Sequence, residues 1–85
     1  MKPIRWTAHA LDDLSVREIS REEAEQTLIA PDRIAPGRPS RQIYQRQYRD
    51  ALLDQQMLIR VVVEETELER IIVTLYKTSK LKKYL

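Results

Sequence analysis

Cysteine is absent from this 85-residue chain, and histidine and glycine occur once each. The first absence excludes disulfides and thiolate metal sites. A single histidine excludes a histidine-rich metal centre within one monomer. With Gly37 alone there is no phosphate-cradling glycine loop, and neither a nucleophile elbow nor a zinc spacing is present. No metal and no cofactor is expected. No apolar run approaches membrane-spanning length, and the opening Met1-Lys-Pro-Ile-Arg-Trp6 holds no apolar signal core. The expectation is a cytoplasmic protein with no membrane role.

Eighty-five residues predict one domain spanning 1–85 with a small core. The formal net charge is only +2, but it is unevenly spread. Residues 1–30 carry four basic and six acidic groups, residues 31–60 six and three, and residues 61–85 five and four. An acidic helical end and a basic sheet-and-tail end suit an anionic partner on one side, against the plainer reading of a mixed solvated surface.

The most informative stretch is Leu58 to Tyr76. Two runs rich in β-branched residues, Leu58–Val63 and Ile71–Leu75, flank a charged segment, Glu64–Arg70. Such side chains are stiff at χ1 and pack well on a pleated surface, so the runs read as an antiparallel hairpin. Pairing Glu64 with Arg70 sets Val62 opposite Ile72 and Arg60 opposite Thr74, with Arg60, Thr74 and Tyr76 on one face. An arginine in so apolar a run needs a partner or an opening to solvent.

Upstream, Thr7 is placed to cap a helix from Ala8 to about Arg17. Ser20 and Glu23 have capping-box spacing for a second helix, Arg21 to Ala30, which Pro31 ends. Residues 31–40 hold three prolines and the glycine and read as a loop. Gln42 to Tyr48 alternates, with Ile43, Gln45 and Gln47 on one side and Tyr44, Arg46 and Tyr48 on the other, as a half-exposed strand does. The tail from Lys77 is basic, with Leu81, Tyr84 and Leu85 as apolar anchors. The expected fold is α+β: two N-terminal helices packed on a three- to four-stranded antiparallel sheet.

His9-Ala-Leu, Arg17-x-Ile-Ser20, Leu58-x-Arg60-Val-Val-Val63, Thr74-x-Tyr76-x-Thr-Ser-Lys80 and Lys83-Tyr84 together resemble a small bacterial and archaeal family, domain of unknown function 4258. That family is grouped with the RelE/ParE toxin superfamily, so the resemblance implies a RelE/ParE-like fold and a toxin–antitoxin setting. The implied activities are mRNA cleavage or gyrase inhibition. The implied partners are a cognate antitoxin, RNA or the ribosome. Two positions depart from the family pattern: Asp13 stands where a basic residue is usual, and Glu18 where glycine is often found.

Metal-independent RNA cleavage needs a base, a cation for the phosphorane charge and an acid. The candidate catalytic residues are His9 for a proton role, Arg46 and Arg60 as phosphate clamps, and Tyr76 as proton donor. Candidate nucleic-acid contacts are Arg17, Tyr44, Tyr48, Lys77, Lys80 and Lys83. Each has a plainer role: a packed histidine, a structural ion pair at Arg60, a core tyrosine, a helix-capping Arg17, a solvated lysine tail. The expected function is a toxin-type, metal-independent ribonuclease acting on mRNA. The alternatives are a non-catalytic protein-binding module on the same scaffold, or a gyrase-directed toxin.

Overall fold

Thr7 begins the first helix of the computed structural model, which describes residues 2–85. Its side chain accepts the Ala10 amide and caps α1 (Ala8–Val16). Its hydroxyl also donates to the Ile72 carbonyl at 2.9 Å, tying the helix start to a strand. Ser20 and Glu23 form both halves of a capping box at the start of α2 (Arg21–Ile29). Satisfying the first backbone amides this way fixes where each short helix begins.

Five strands follow the chain as β1 (Ile4–Trp6), β2 (Arg33–Pro36), β3 (Arg41–Asp50), β4 (Gln55–Glu65) and β5 (Arg70–Thr78). A last short helix, α3 (Leu81–Tyr84), closes the chain. The sheet order is β1-β5-β4-β3-β2. β2, β3, β4 and β5 pair antiparallel, while β1 runs parallel to β5.

This topology corrects the expected architecture. Two helices on a three- to four-stranded antiparallel sheet of RelE/ParE type is not what forms; the sheet is mixed and five-stranded, with three short helices. β2 lies inside the proline-rich stretch read as loop, on an outer edge where Pro36 costs no ladder bond. β1 is three residues long, and its partner lies at the other end of the chain.

The β4–β5 register also differs from the expected one. Glu65, not Glu64, opposes Arg70, and a bulge at Val73 shifts the pairing once more. A one-residue slip flips a strand's faces, and a second restores them. Arg60 therefore stands directly opposite Tyr76. Thr74 instead donates its hydroxyl to Asp13 on α1, at 2.5 Å.

α1 packs along β5, and α2 along β3 and β4. Ala10, Ala24 and Leu28 from the helices meet Tyr44, Ile59, Val61, Val63, Ile72 and Leu75 in one core. Beyond the end of β1, the edge of β5 is finished by a side chain: the Leu75 amide donates to Asp13 Oδ2 at 3.2 Å. Asp13 is buried, one helical turn after the fully buried Ala10. It fills the position a further β1 residue would occupy.

Candidate functional site

The face of the sheet turned away from α1 and α2 carries a straight cross-strand row. Arg33 opposes Gln45, Gln45 opposes Arg60, and Arg60 opposes Tyr76, one residue from each of four strands. Each alternates with a residue on the helix side, as strand geometry requires. Gln45 is fully buried, and its Oε1 accepts Arg60 Nε at 2.6 Å. Arg60 Nη1 donates to the Tyr76 hydroxyl.

The C-terminal helix lies over this row. The Tyr84 ring sits 4.0 Å from the Arg60 guanidinium, measured to its centroid. Its edge meets Tyr76 at 6.3 Å between centroids with 63° between planes. The Tyr84 carbonyl accepts from Gln45 Nε2 and Arg33 Nη1. Arg17 approaches the Tyr76 ring at 5.9 Å, oriented by its Nε–Asp13 Oδ1 bond of 3.2 Å. Lys83 Nζ lies 5.3 Å from the Tyr84 ring.

The charge state of the row is unusual for this sheet. Arg5, Arg41, Arg49 and Arg70 each lie within 4 Å of a carboxylate, at Glu69, Glu64, Asp54 and Glu65. Among the described residues, Arg33, Arg46 and Arg60 have no such partner, and of these three Arg33 and Arg60 lie on the row face while Arg46 lies on the helix side. Arg60 is half-buried and held by an amide, a phenol and an aromatic face, all neutral. Neutral acceptors position a guanidinium without cancelling its charge, and its remaining N–H groups suit a planar, two-oxygen anion.

Burial pushes the Tyr76 hydroxyl above its ordinary range, although the Arg60 hydrogen bond acts the other way. Hydrogen bonding to Tyr76 moves Tyr84 down; burial, next in size, opposes it, and Lys83 and then Arg60 add smaller downward effects. Among the described residues no group of three or more acidic, histidine or cysteine side chains is placed to hold a metal ion. No helix among them is long and apolar enough to cross a membrane.

Of the four candidate catalytic residues, Arg60 and Tyr76 are brought together. Arg46 opposes Ile59 and so points to the helix side. His9 is exposed on α1, its Nε2 3.5 Å from Asp13 Oδ2. It reaches the row only through a relay, His9 to Asp13 to Arg17 to the Tyr76 ring. Of the candidate nucleic-acid contacts, Arg17 and Lys83 lie at the rim of the row and Lys80 begins α3. Tyr44 is buried in the core, and Tyr48 packs against it from the same side. Lys77 donates to the Glu18 carbonyl on the helix side.

Sequence reasoning passed over Gln45, Arg33 and Tyr84. Alternation in β3 sets Gln45 on the face away from Tyr44, but only the register brings it opposite Arg60. Tyr84 offered no periodic signal at all, since α3 is a single turn.

Residues 6–77 match the family model described as a domain of unknown function, DUF4258. The chain belongs to that family. No curated protein and no solved structure matches it significantly. The matched span includes all four members of the row, Arg33, Gln45, Arg60 and Tyr76, and stops before α3.

Proposed function

We propose that this chain is the toxin member of a toxin–antitoxin pair and acts on mRNA, binding the backbone phosphate at Arg60 and cleaving without a metal. The observation that carries the reading is the Arg60 guanidinium: half-buried, oriented by Gln45 and Tyr76, and free of any carboxylate among the described residues. In such cleavage the ribose 2′-hydroxyl attacks the adjacent phosphorus and the 5′ oxygen leaves. Arg60 stabilises charge on the non-bridging oxygens. Tyr76, hydrogen-bonded to Arg60, gives its proton to the leaving oxygen. Arg17 and Lys83 add positive charge at the rim. His9 lies on the helix side, so the 2′-hydroxyl proton passes to solvent and cleavage is slow. The products are a 2′,3′-cyclic phosphate and a 5′-hydroxyl.

Incubation with a structured mRNA fragment, with and without chelator, tests this. Cleavage is expected in both conditions, falling about 100-fold in Tyr76→Phe and at least as far in Arg60→Ala. His9→Ala is expected to stay within about twofold of wild type, because no relayed contact substitutes for proximity. Absence of cleavage by the wild type, or full activity in Arg60→Ala, removes the proposal.

A second reading has its own observation. Leu52 and Leu53, adjacent at the β3–β4 turn, are 97% and 59% exposed. Neighbouring exposed leucines suit a protein partner such as an antitoxin. Co-purification with the neighbouring gene's product, lost in Leu52→Asp/Leu53→Asp, supports it; retention in that double variant removes it.

A further inference from the structure

Two of the four residues of the row donate to one residue of the tail, and a third lies under its ring. Gln45 Nε2 and Arg33 Nη1 both point at the Tyr84 carbonyl oxygen, each at 3.4 Å, while Arg60 lies under the Tyr84 ring. Both hydrogen bonds are long for N–H to oxygen. An amide and a guanidinium converging on one oxygen suit an anionic oxygen better than a carbonyl, since charge-assisted bonds are shorter and stronger.

The covering segment is lightly held. α3 has four residues, none of them buried, and no side-chain cap at its start. A helix so short has no stability of its own. Lys80, Lys82 and Lys83 add positive charge to the segment that covers Arg33 and Arg60, and among the described residues none of the five has a carboxylate within ion-pair distance. This local excess of cations favours an incoming anion.

We propose that α3 is a displaceable cover on a phosphate subsite built from Arg33, Gln45 and Arg60, and that a phosphate group of the ligand replaces the Tyr84 carbonyl when the cover lifts. The proposal deepens the RNA reading and rests on it only for the identity of the polymer. The subsite itself asks for a phosphate group, whether free or within a nucleic acid. Closed and open states then share one protein, and the ligand's apparent affinity is lowered by the fraction closed.

Full-length protein labelled with ¹⁵N is titrated with sodium phosphate, with sodium chloride at matched ionic strength, and with a single-stranded oligouridylate. Phosphate is expected to move the Gln45 side-chain amide and the Tyr84 and Leu85 backbone amides together and saturably; chloride is not. Tyr84→Ala, which removes the anchoring ring and leaves the row intact, is expected to tighten phosphate and oligouridylate about fivefold. Arg33→Ala is expected to weaken both by at least that factor. Weaker binding in Tyr84→Ala, or a phosphate titration that leaves Gln45 and Tyr84 unmoved, overturns the cover. Should Tyr84→Ala not fold, the wild-type titration decides alone. Phosphate response without oligouridylate binding keeps the subsite and sinks the RNA reading. Oligouridylate binding with α3 unmoved does the reverse.

Discussion

The same strands present two different chemistries to the two sides of the sheet. On the helix side Ile59, Val61, Val63, Ile72 and Leu75 are at most 1% exposed and interlock with Ala10, Ala24 and Leu28. On the other side Arg33, Gln45, Arg60 and Tyr76 form a polar row under one short helix. The helix side has tightly packed apolar groups whose removal leaves a void. The row side has a half-buried cation and a fully buried amide, which add little net stability and cost some if left unpaired, and a single enclosed leucine of the same strand, Leu58. Stability is thereby assigned to one face and ligand chemistry to the other, within strands whose neighbouring residues alternate between the two.

The largest effect that tests this division is in the core. Leu75→Ala is expected to cost about 2–5 kcal/mol, because its side chain is fully enclosed. Arg60→Met, opposite the residue next to Leu75 in the same hairpin, is expected to cost less, about 1–2 kcal/mol through the Gln45 oxygen left without its donor, while abolishing phosphate binding. Urea denaturation of both variants makes the comparison. Equal losses would show that the row is as structural as the core.

Asp13 belongs to neither face, because it completes the edge of β5. Burial alone raises its carboxyl, but the bonds from Thr74, Leu75 and Arg17, with His9 nearby, outweigh that and hold it below its ordinary value of 3.8. A depressed carboxylate contributes stability that is present above the unfolded value and lost as pH falls through the folded one. Wild-type melting temperature is therefore expected to drop below about pH 4, and the drop to be shallower in Asp13→Asn. At neutral pH Asp13→Ala is expected to cost about 1–3 kcal/mol by leaving the Leu75 amide without an acceptor. A pH profile for Asp13→Asn that matches wild type would remove this role.

Local features were legible from residues alone. The caps at Thr7 and Ser20 bound α1 and α2 within a residue of where they lie, because a cap and its amide are three positions apart. The β4–β5 hairpin was legible for the same reason, and so was the presence of Arg60 and Tyr76 on one face. Non-local pairing was not. β1 and β2 are three and four residues long and take their structure from partners far along the chain. The bulge at Val73 has no composition of its own, yet together with the one-residue shift at Arg70 it sets Tyr76 rather than Thr74 against Arg60. Asp13 carried a readable sign, its place at i+3 from Ala10 on a buried stripe, but a carboxylate there looks like an error until the bare strand edge is seen. Gln45 and Arg33 join the site only once three registers are known.

The smallest expected effect concerns the joint between α1 and α2. Glu18 adopts φ 54°, in the left-handed region where a Cβ meets the following carbonyl. Its side chain makes no hydrogen bond or ion pair among the described residues; its backbone does the work, the amide donating to Ser15 and the carbonyl accepting Lys77 Nζ at 3.1 Å. Glu18→Gly keeps those bonds and relieves the backbone, at the cost of a more flexible unfolded chain. The net expectation is a gain of about 0.5–1 kcal/mol by thermal denaturation. Glu18→Ala is the control, since it removes the carboxylate and keeps the Cβ, and it is expected to give no gain. Asp54, at φ 51° in the β3–β4 turn, offers a weaker version, because Asp54→Gly also loses the pair with Arg49. A gain in Glu18→Ala as large as in Glu18→Gly would place the cost in the side chain's charge rather than in the backbone.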